Sequence, residues 1–214
     1  LVLVGHRMIP FFSGSVIPNY TLVQPPWTFP VLWAAVVAHF ALETLGHVQW
    51  LFLADAPLLF VTLHHTLHWG FRRSLSVRLL GALHIAFAGL SFGLVLYIIQ
   101  SLTQLITGEF ILGRAPLHAV AIGFIAAMVV AMITRVSRGH SGRPLTMDNL
   151  DWTAFVLMLA AVLLRIVGDV ELIAAASPVP PNLLAAAAWL AAVVPWGLRY
   201  LLIYLRPRLD GKPG

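Results

Sequence analysis

Histidine is the residue type in this sequence with the widest chemical scope. There are nine histidines in 214 residues and no cysteine, so disulfides, thiolate metal sites and cysteine nucleophiles are excluded. Ionisable side chains in apolar segments are costly and often mark a ligand, a cofactor or a transport path. Imidazole binds iron and copper well, whereas a hydrogen bond to a backbone carbonyl of a neighbouring helix is the structural alternative. Six histidines lie within apolar segments or at their first turn: His39, His64, His65, His68, His84 and His118.

The spacing of these histidines predicts sites at two levels of a membrane. His64 and His68 are four residues apart and share one helix face. His84 would lie about one turn into the next span from the same side, so the three can converge on one metal site. His118 begins a span on the opposite side, and His39 is nearer the midplane. A single site that used both His84 and His118 would need a broken or tilted helix.

Arg165 lies inside an apolar segment, where a guanidinium needs a partner. A central arginine costs roughly 2.5–3.5 kcal/mol on membrane-insertion scales. Asp169 is four residues further along the same helix face, so the sequence predicts that the two side chains pair. The alternative is that Arg165 faces a carboxylate of a cofactor or lines a ligand path.

Residues 134–145 combine Arg135, Arg138, His140 and Arg143 with two glycines. The composition predicts a flexible cationic loop at the membrane surface. Arginine binds planar anions through two parallel hydrogen bonds, so this loop could hold the propionates of haem or another anion. Composition alone favours the alternative, an ordinary basic loop between membrane helices.

The overall composition is that of a membrane protein. Hydrophobic residues make up 60% of the chain and charged residues 10%, against about 25% charged residues in an average soluble domain. The mean hydropathy is +0.90. A soluble protein of this length could not bury so much apolar surface. We therefore predict an all-α, polytopic transmembrane helical bundle that forms a single domain over residues 1–214.

Six hydrophobic segments are candidates for membrane spans. A span needs about 20 apolar residues, and the first candidate is short by this measure. The chain opens on Leu1-Val2-Leu3-Val4 with no basic segment, so we expect no signal peptide. We interpret this opening as the last turn of a helix, and the chain as the C-terminal part of a longer protein. The predicted spans are 30–44, 50–69, 79–102, 117–134, 152–175 and 183–205.

The distribution of basic residues supports six spans. The formal net charge of +5 arises from basic residues between apolar runs, which indicates loop ends rather than nucleic-acid binding. If the six spans cross the membrane alternately, the loops divide between two sides. Arg114 is the one basic residue on the second side, and Arg165 and Arg199 fall within or near the ends of spans. The positive-inside rule then predicts a cytoplasmic C-terminus. The first side receives ten residues: Arg7, Arg72, Arg73, Arg78, Arg135, Arg138, Arg143, Arg206, Arg208 and Lys212.

Small residues predict where helices approach closely. Gly89 and Gly93 form a GxxxG pattern in the third span. The alternative is that small residues are simply common in membrane helices. The fourth span carries a small residue at every fourth position: Ala119, Gly123, Ala127 and Ala131.

Several segments together resemble the NnrS family. These are Gly5-His6-Arg7-Met8-Ile9-Pro10-Phe11-Phe12, Leu83-His84-Ile85-Ala86-Phe87-Ala88, His118-Ala119, and the long block from Met132 to Leu145. The resemblance covers nearly the whole chain and implies the C-terminal half of an about twelve-span protein. The sequence departs from the family pattern at His6, where glycine is expected, and His64-His65 is not a family feature.

The resemblance implies a bacterial inner-membrane protein that contains haem and copper and is linked to resistance to nitric oxide and nitrosative stress. The implied partners are the lipid bilayer, haem, nitric oxide or its metal adducts, and the absent N-terminal half, with no nucleic acid. Whether a reaction is catalysed stays open. By resemblance, the cofactor-binding positions are His84, His118, Arg135, His140, Arg143 and Arg165.

We expect His84 and His118 to be metal ligands, not necessarily of one metal, with His64 and His68 as a peripheral metal site. His65 is assigned no role. The alternative function is a membrane transporter or channel in which the histidines line a path for protons or metal ions. A structural or assembly subunit without chemistry of its own is the third interpretation.

Overall fold

The protein is helical throughout the part that the computed structural model describes, which is residues 1–170 and 177–211. No strand occurs in these ranges. Short turns of helix at Val48–Trp50 and Phe71–Ser74 connect the longer elements. The seven main helices are α1 (Val2–Val16), α2 (Thr28–Thr44), α3 (Phe52–His68), α4 (Arg78–Thr107), α5 (Ala115–His140), α6 (Asn149–Asp169) and α7 (Pro181–Tyr204).

The prediction of an all-α membrane bundle is confirmed. Helices α4 to α7 are each long and apolar enough to cross a bilayer, and α2 is a shorter apolar helix. Helices α2 and α3 have 17 residues each. At 1.5 Å per residue they are a few ångströms shorter than a hydrocarbon core about 30 Å thick. The six predicted spans correspond to α2–α7, and the number of crossings stays a prediction.

One predicted boundary was wrong, and a second lies outside the described residues. Helix α5 continues to His140, so residues 134–140 are helical and do not belong to a flexible loop. Helix α6 ends at Asp169, and residues 171–175 of the predicted fifth span lie outside the described part of the chain. Arg165 is one turn before Asp169, the last residue of α6.

The predicted small-residue contact lies between α4 and α5. A Cβ atom on Gly89 would lie 2.4 Å from the carbonyl oxygen of Gly123, and one on Gly93 would lie 2.5 Å from Val120 Cγ2. Only glycine permits this approach. Residues Ala119–Ala126 form a wide π-helical segment at the crossing, which shifts the face that α5 presents. The predicted stripe is buried along its length: Ala119, Gly123, Ala127 and Ala131.

An ionic cluster joins α5, α6 and α7 at the end of the bundle where α5 finishes. Arg138 is 6% exposed, and its Nη2 lies 2.6 Å from Asp151 Oδ2 and 2.7 Å from Asp148 Oδ2. Arg199 of α7 also donates to Asp148, with Nη1 2.7 Å from Oδ1. The Tyr200 hydroxyl donates to Asp151 at 3.2 Å. The bonds from Arg138 to Asp148 and Asp151 stabilise the last turns of α5, beyond Thr134, against the start of α6.

Candidate functional site

His118, Asp169 and Arg165 meet where α5 begins and α6 ends. His118 Nδ1 lies 2.5 Å from Asp169 Oδ2. Arg165 Nη2 lies 3.6 Å from Asp169 Oδ1, which confirms the predicted pairing of these two residues. Arg165 Nε donates to His118 Nε2 at 3.3 Å. Since Nε2 accepts this bond, the ring proton is on Nδ1 and points at the carboxylate.

The loop before α5 positions this group. Gly113 has a φ of +52°, and a Cβ atom there would lie 2.9 Å from the backbone oxygen of Asp169. The chain can therefore press against the end of α6 only with glycine at this position. Ala115 and Pro116 then start α5 and are both buried, so the first turn that carries His118 is held in place.

This geometry matches what a metal-binding histidine needs. A ligating imidazole almost always donates its second N–H to a carboxylate or carbonyl, which orients the ring and makes the free nitrogen more basic. Asp169, with 9% of its side chain exposed, does this for His118. The side chains of His118 and Arg165 are 19% and 29% exposed, and Arg165 occupies Nε2 by a hydrogen bond. Arg165 supplies a positive charge beside it.

His84 lies at the other end of the bundle. It is 2% exposed and its Nε2 is 2.9 Å from Ser13 Oγ, at the contact between α1 and α4. Gly93 of α4 packs against Ala119 and Val120 at the start of α5, so His118 lies near the level of Gly93. That level is at least nine residues, or about 14 Å, along α4 from His84. His84 and His118 therefore cannot bind the same metal ion.

His64 and His68 stack on each other and do not converge with His84. Their ring centroids are 4.2 Å apart, and His68 Nδ1 lies 2.7 Å from the His64 carbonyl oxygen. His68 is exposed, whereas His84 is enclosed between helices. Within residues 1–170 and 177–211 no group of three His, Asp or Glu side chains could hold a metal ion. The convergence expected from the sequence is not found.

His65, to which the sequence assigned no role, is the histidine with the most unusual surroundings. It is fully buried, and neither ring nitrogen has a hydrogen-bond partner among the described residues. Its ring stacks on Trp69 with centroids 4.1 Å apart, and the His6 ring is 5.1 Å away. Gln24 Nε2 lies 2.9 Å from His6 Nδ1. His6 and His65 form a compact imidazole pair. The sequence offered one sign of this pair, because His6 stands where the family pattern has glycine.

A cavity opens beside His6. Its volume is about 1000 Å³, at the upper end of the range for small-molecule sites. Arg7, Tyr20 and Gln24 add polar groups to a lining that is otherwise largely apolar. His6 lines this cavity and His65 does not, so only one ring of the imidazole pair borders a space large enough for an organic cofactor.

The predicted cationic residues have separate environments. The Arg135 guanidinium packs over the Phe12 ring, 3.8 Å from its centroid. His140 is exposed at the end of α5. Arg143 has a buried Nη1 with no hydrogen-bond partner in the described ranges. All three lie at the His84 end, because α4 and α5 are consecutive helices and α5 ends where α4 begins.

Comparison with known proteins identifies the family. The model for the NnrS protein family matches residues 1–208. The chain belongs to the NnrS family. Neither a curated protein nor a solved structure matches it. The family match and the four apolar helices of spanning length together show a membrane protein of the NnrS family.

In this NnrS chain the six positions singled out by resemblance divide between two sites. His118 and Arg165 are in direct contact at one end. The second group is His84, Arg135, His140 and Arg143 at the other end, where His6 and His65 also lie. The NnrS chain thus presents imidazole and guanidinium groups together at both ends of the bundle.

Proposed function

We propose that this NnrS protein binds haem and copper and acts in the response and resistance to nitric oxide and nitrosative stress. The observation that carries the proposal is the contact between His118 and Asp169, in which a carboxylate fixes the imidazole tautomer and directs Nε2 towards Arg165.

The residues fit cofactors that need few protein ligands. Haem would need only one or two protein side chains as ligands, and a buried imidazole pair such as His6 and His65 would suit copper. A closed site with three or four protein ligands does not fit the described residues. The bound metal would supply the affinity for nitric oxide, and the imidazoles and arginines would hold it in place.

At the His118 end, His118 would be the ligand and Asp169 would orient it. Arg165 would move from Nε2 to an anionic group of the ligand, since it already lies beside the ring. At the other end, His65, His6 and His84 would be the candidate ligands, with Arg135, His140 and Arg143 available for carboxylates. The stacked pair His64 and His68 would be peripheral.

The cofactor proposal is tested on the purified full-length protein. We expect a haem absorption band in the visible spectrum and copper by elemental analysis. His84→Ala or His118→Ala should remove or shift one of these signals. His47→Ala is the matched control, because His47 is exposed in the loop after α2. Unchanged haem and copper in both variants would contradict the ligand assignment, and a protein without either cofactor would favour transport of protons or metal ions.

We also propose that the protein lies in the bacterial inner membrane with a cytoplasmic C-terminus. Reporter fusions after Arg143 and after Arg208 should behave as cytoplasmic. Fusions within residues 107–115 and 177–181 should behave as external. If fusions at Arg143 and Ser177 report the same side, the six-span topology is wrong.

A further inference from the structure

His39 and Asp55 form a buried polar pair between α2 and α3 that none of the proposed cofactor sites uses. His39 Nδ1 lies 2.6 Å from Asp55 Oδ1. The Asp55 side chain is fully buried, and its Oδ2 has no hydrogen-bond partner in the described part of the chain. A quarter of the His39 side chain is exposed, at 25%. An ionised carboxylate with one unsatisfied oxygen is costly in such a place, and a proton relieves the cost.

Few other ionisable groups face the pair. The His39 ring meets Tyr97 of α4 edge-on, with centroids 5.0 Å apart. Glu43 is one turn further along α2 and exposed. The turn Val48–Trp50, which also packs near these helices, contains no ionisable side chain. A largely apolar cavity of about 360 Å³ adjoins His39 and Tyr97 and extends to the start of α5. Among these neighbours only His39 bonds to Asp55, and none carries a positive charge that would balance the carboxylate.

We propose that His39 and Asp55 form a proton-binding site that takes up a proton at His39 Nε2 and stores it on Asp55. Before uptake, His39 is neutral with its proton on Nδ1, and Asp55 carries one negative charge. The arriving proton bonds to Nε2, and the Nδ1 proton moves to Asp55 Oδ1. No other atom or electron is transferred. The loaded pair has no net charge, which suits its apolar surroundings.

The exposure of the two side chains indicates that the proton enters at His39 and moves inwards to Asp55. His39 is the accessible member, and Asp55 is the enclosed one. Further along the same buried face of α3, Thr62 lies two turns or about 10 Å from Asp55. Ser91 of α4 donates to Thr62 at 2.9 Å. Thr62 and Ser91 thus form a second buried polar contact on this face of α3, two turns from Asp55.

A purely structural ion pair would keep Asp55 ionised at every pH at which the protein is folded. Infrared difference spectra against pH, recorded on the full-length protein in membranes, separate the two roles. We expect a carbonyl band of a protonated carboxylic acid that disappears as the pH rises. The band should be absent in Asp55→Asn and persist to higher pH in His39→Gln. Glu43→Gln is the matched control and should keep the band.

A titrating band that survives in folded Asp55→Asn, or no such band in the wild type, would overturn the proposal. If Asp55→Asn does not fold, the wild type is treated with a lipid-soluble carbodiimide, which reacts with protonated carboxyl groups. Modification mapped to Asp55 that decreases as the pH rises would support the proposal. An unmodified Asp55 at every pH would refute it. Both results are independent of haem and copper content.

Discussion

Replacing Arg138 with methionine should destabilise the bundle strongly. Removing one partner of a buried ion pair costs about 3–5 kcal/mol, because the other charge is left without compensation. Asp151 is fully buried and would lose two bonds from Arg138, at 2.6 Å and 3.2 Å. It would keep Tyr200 at 3.2 Å and Arg199 at 3.4 Å. We therefore expect the lower end of the range, about 3 kcal/mol in the free energy of unfolding.

Reversible unfolding of the protein in mixed micelles measures this loss. The double variant Arg138→Met, Asp151→Leu should recover most of it, since apolar residues can replace both partners of a buried pair. Arg208→Met is the control, because Arg208 bonds to Asp210 near the surface, and we expect no measurable change. An Arg138→Met variant as stable as the wild type would refute the reasoning, as would a double variant no more stable than the single one.

Two further predictions concern packing and pH. Gly89→Ala should cost about 1–3 kcal/mol of unfolding free energy in the same assay, because the new Cβ would lie 2.4 Å from the Gly123 carbonyl oxygen. Gly197→Ala, with open space around it, should cost nothing. The bond from Arg199 holds the pKa of Asp148 below its usual value. Asp148→Asn should therefore lower stability at neutral pH. The difference from the wild type should shrink as the pH falls below the usual value near 4, and vanish only below the lowered pKa of the folded state.

The fold class followed from composition because lipid is the solvent that allows a chain this apolar to fold. The contact of Gly89 with α5 was also predictable, since close helix approach needs small residues at fixed spacing. Arg165 and Asp169 were predicted to pair because residues four apart on a helix are always neighbours. Each of these inferences depends on local pattern alone.

The remaining features depend on which helix faces meet. The contact between His118 and Asp169 joins residues 51 positions apart, and no spacing rule relates them. His65 stands beside His64 in the sequence, yet only the packing of α3 decides that His65 is the buried one. Arg138 belongs to a charged segment that resembles a loop. It is helical because its acidic partners lie on the next helix.

We propose that His118, oriented by Asp169, is a cofactor ligand. The most direct measurement is the visible spectrum of full-length His118→Gly protein, recorded before and after addition of free imidazole. We predict that the substitution removes or shifts the haem band and that imidazole restores it, because the added ring can occupy the vacated space against Asp169. A His118→Gly protein whose spectrum equals that of the wild type without imidazole would contradict the claim.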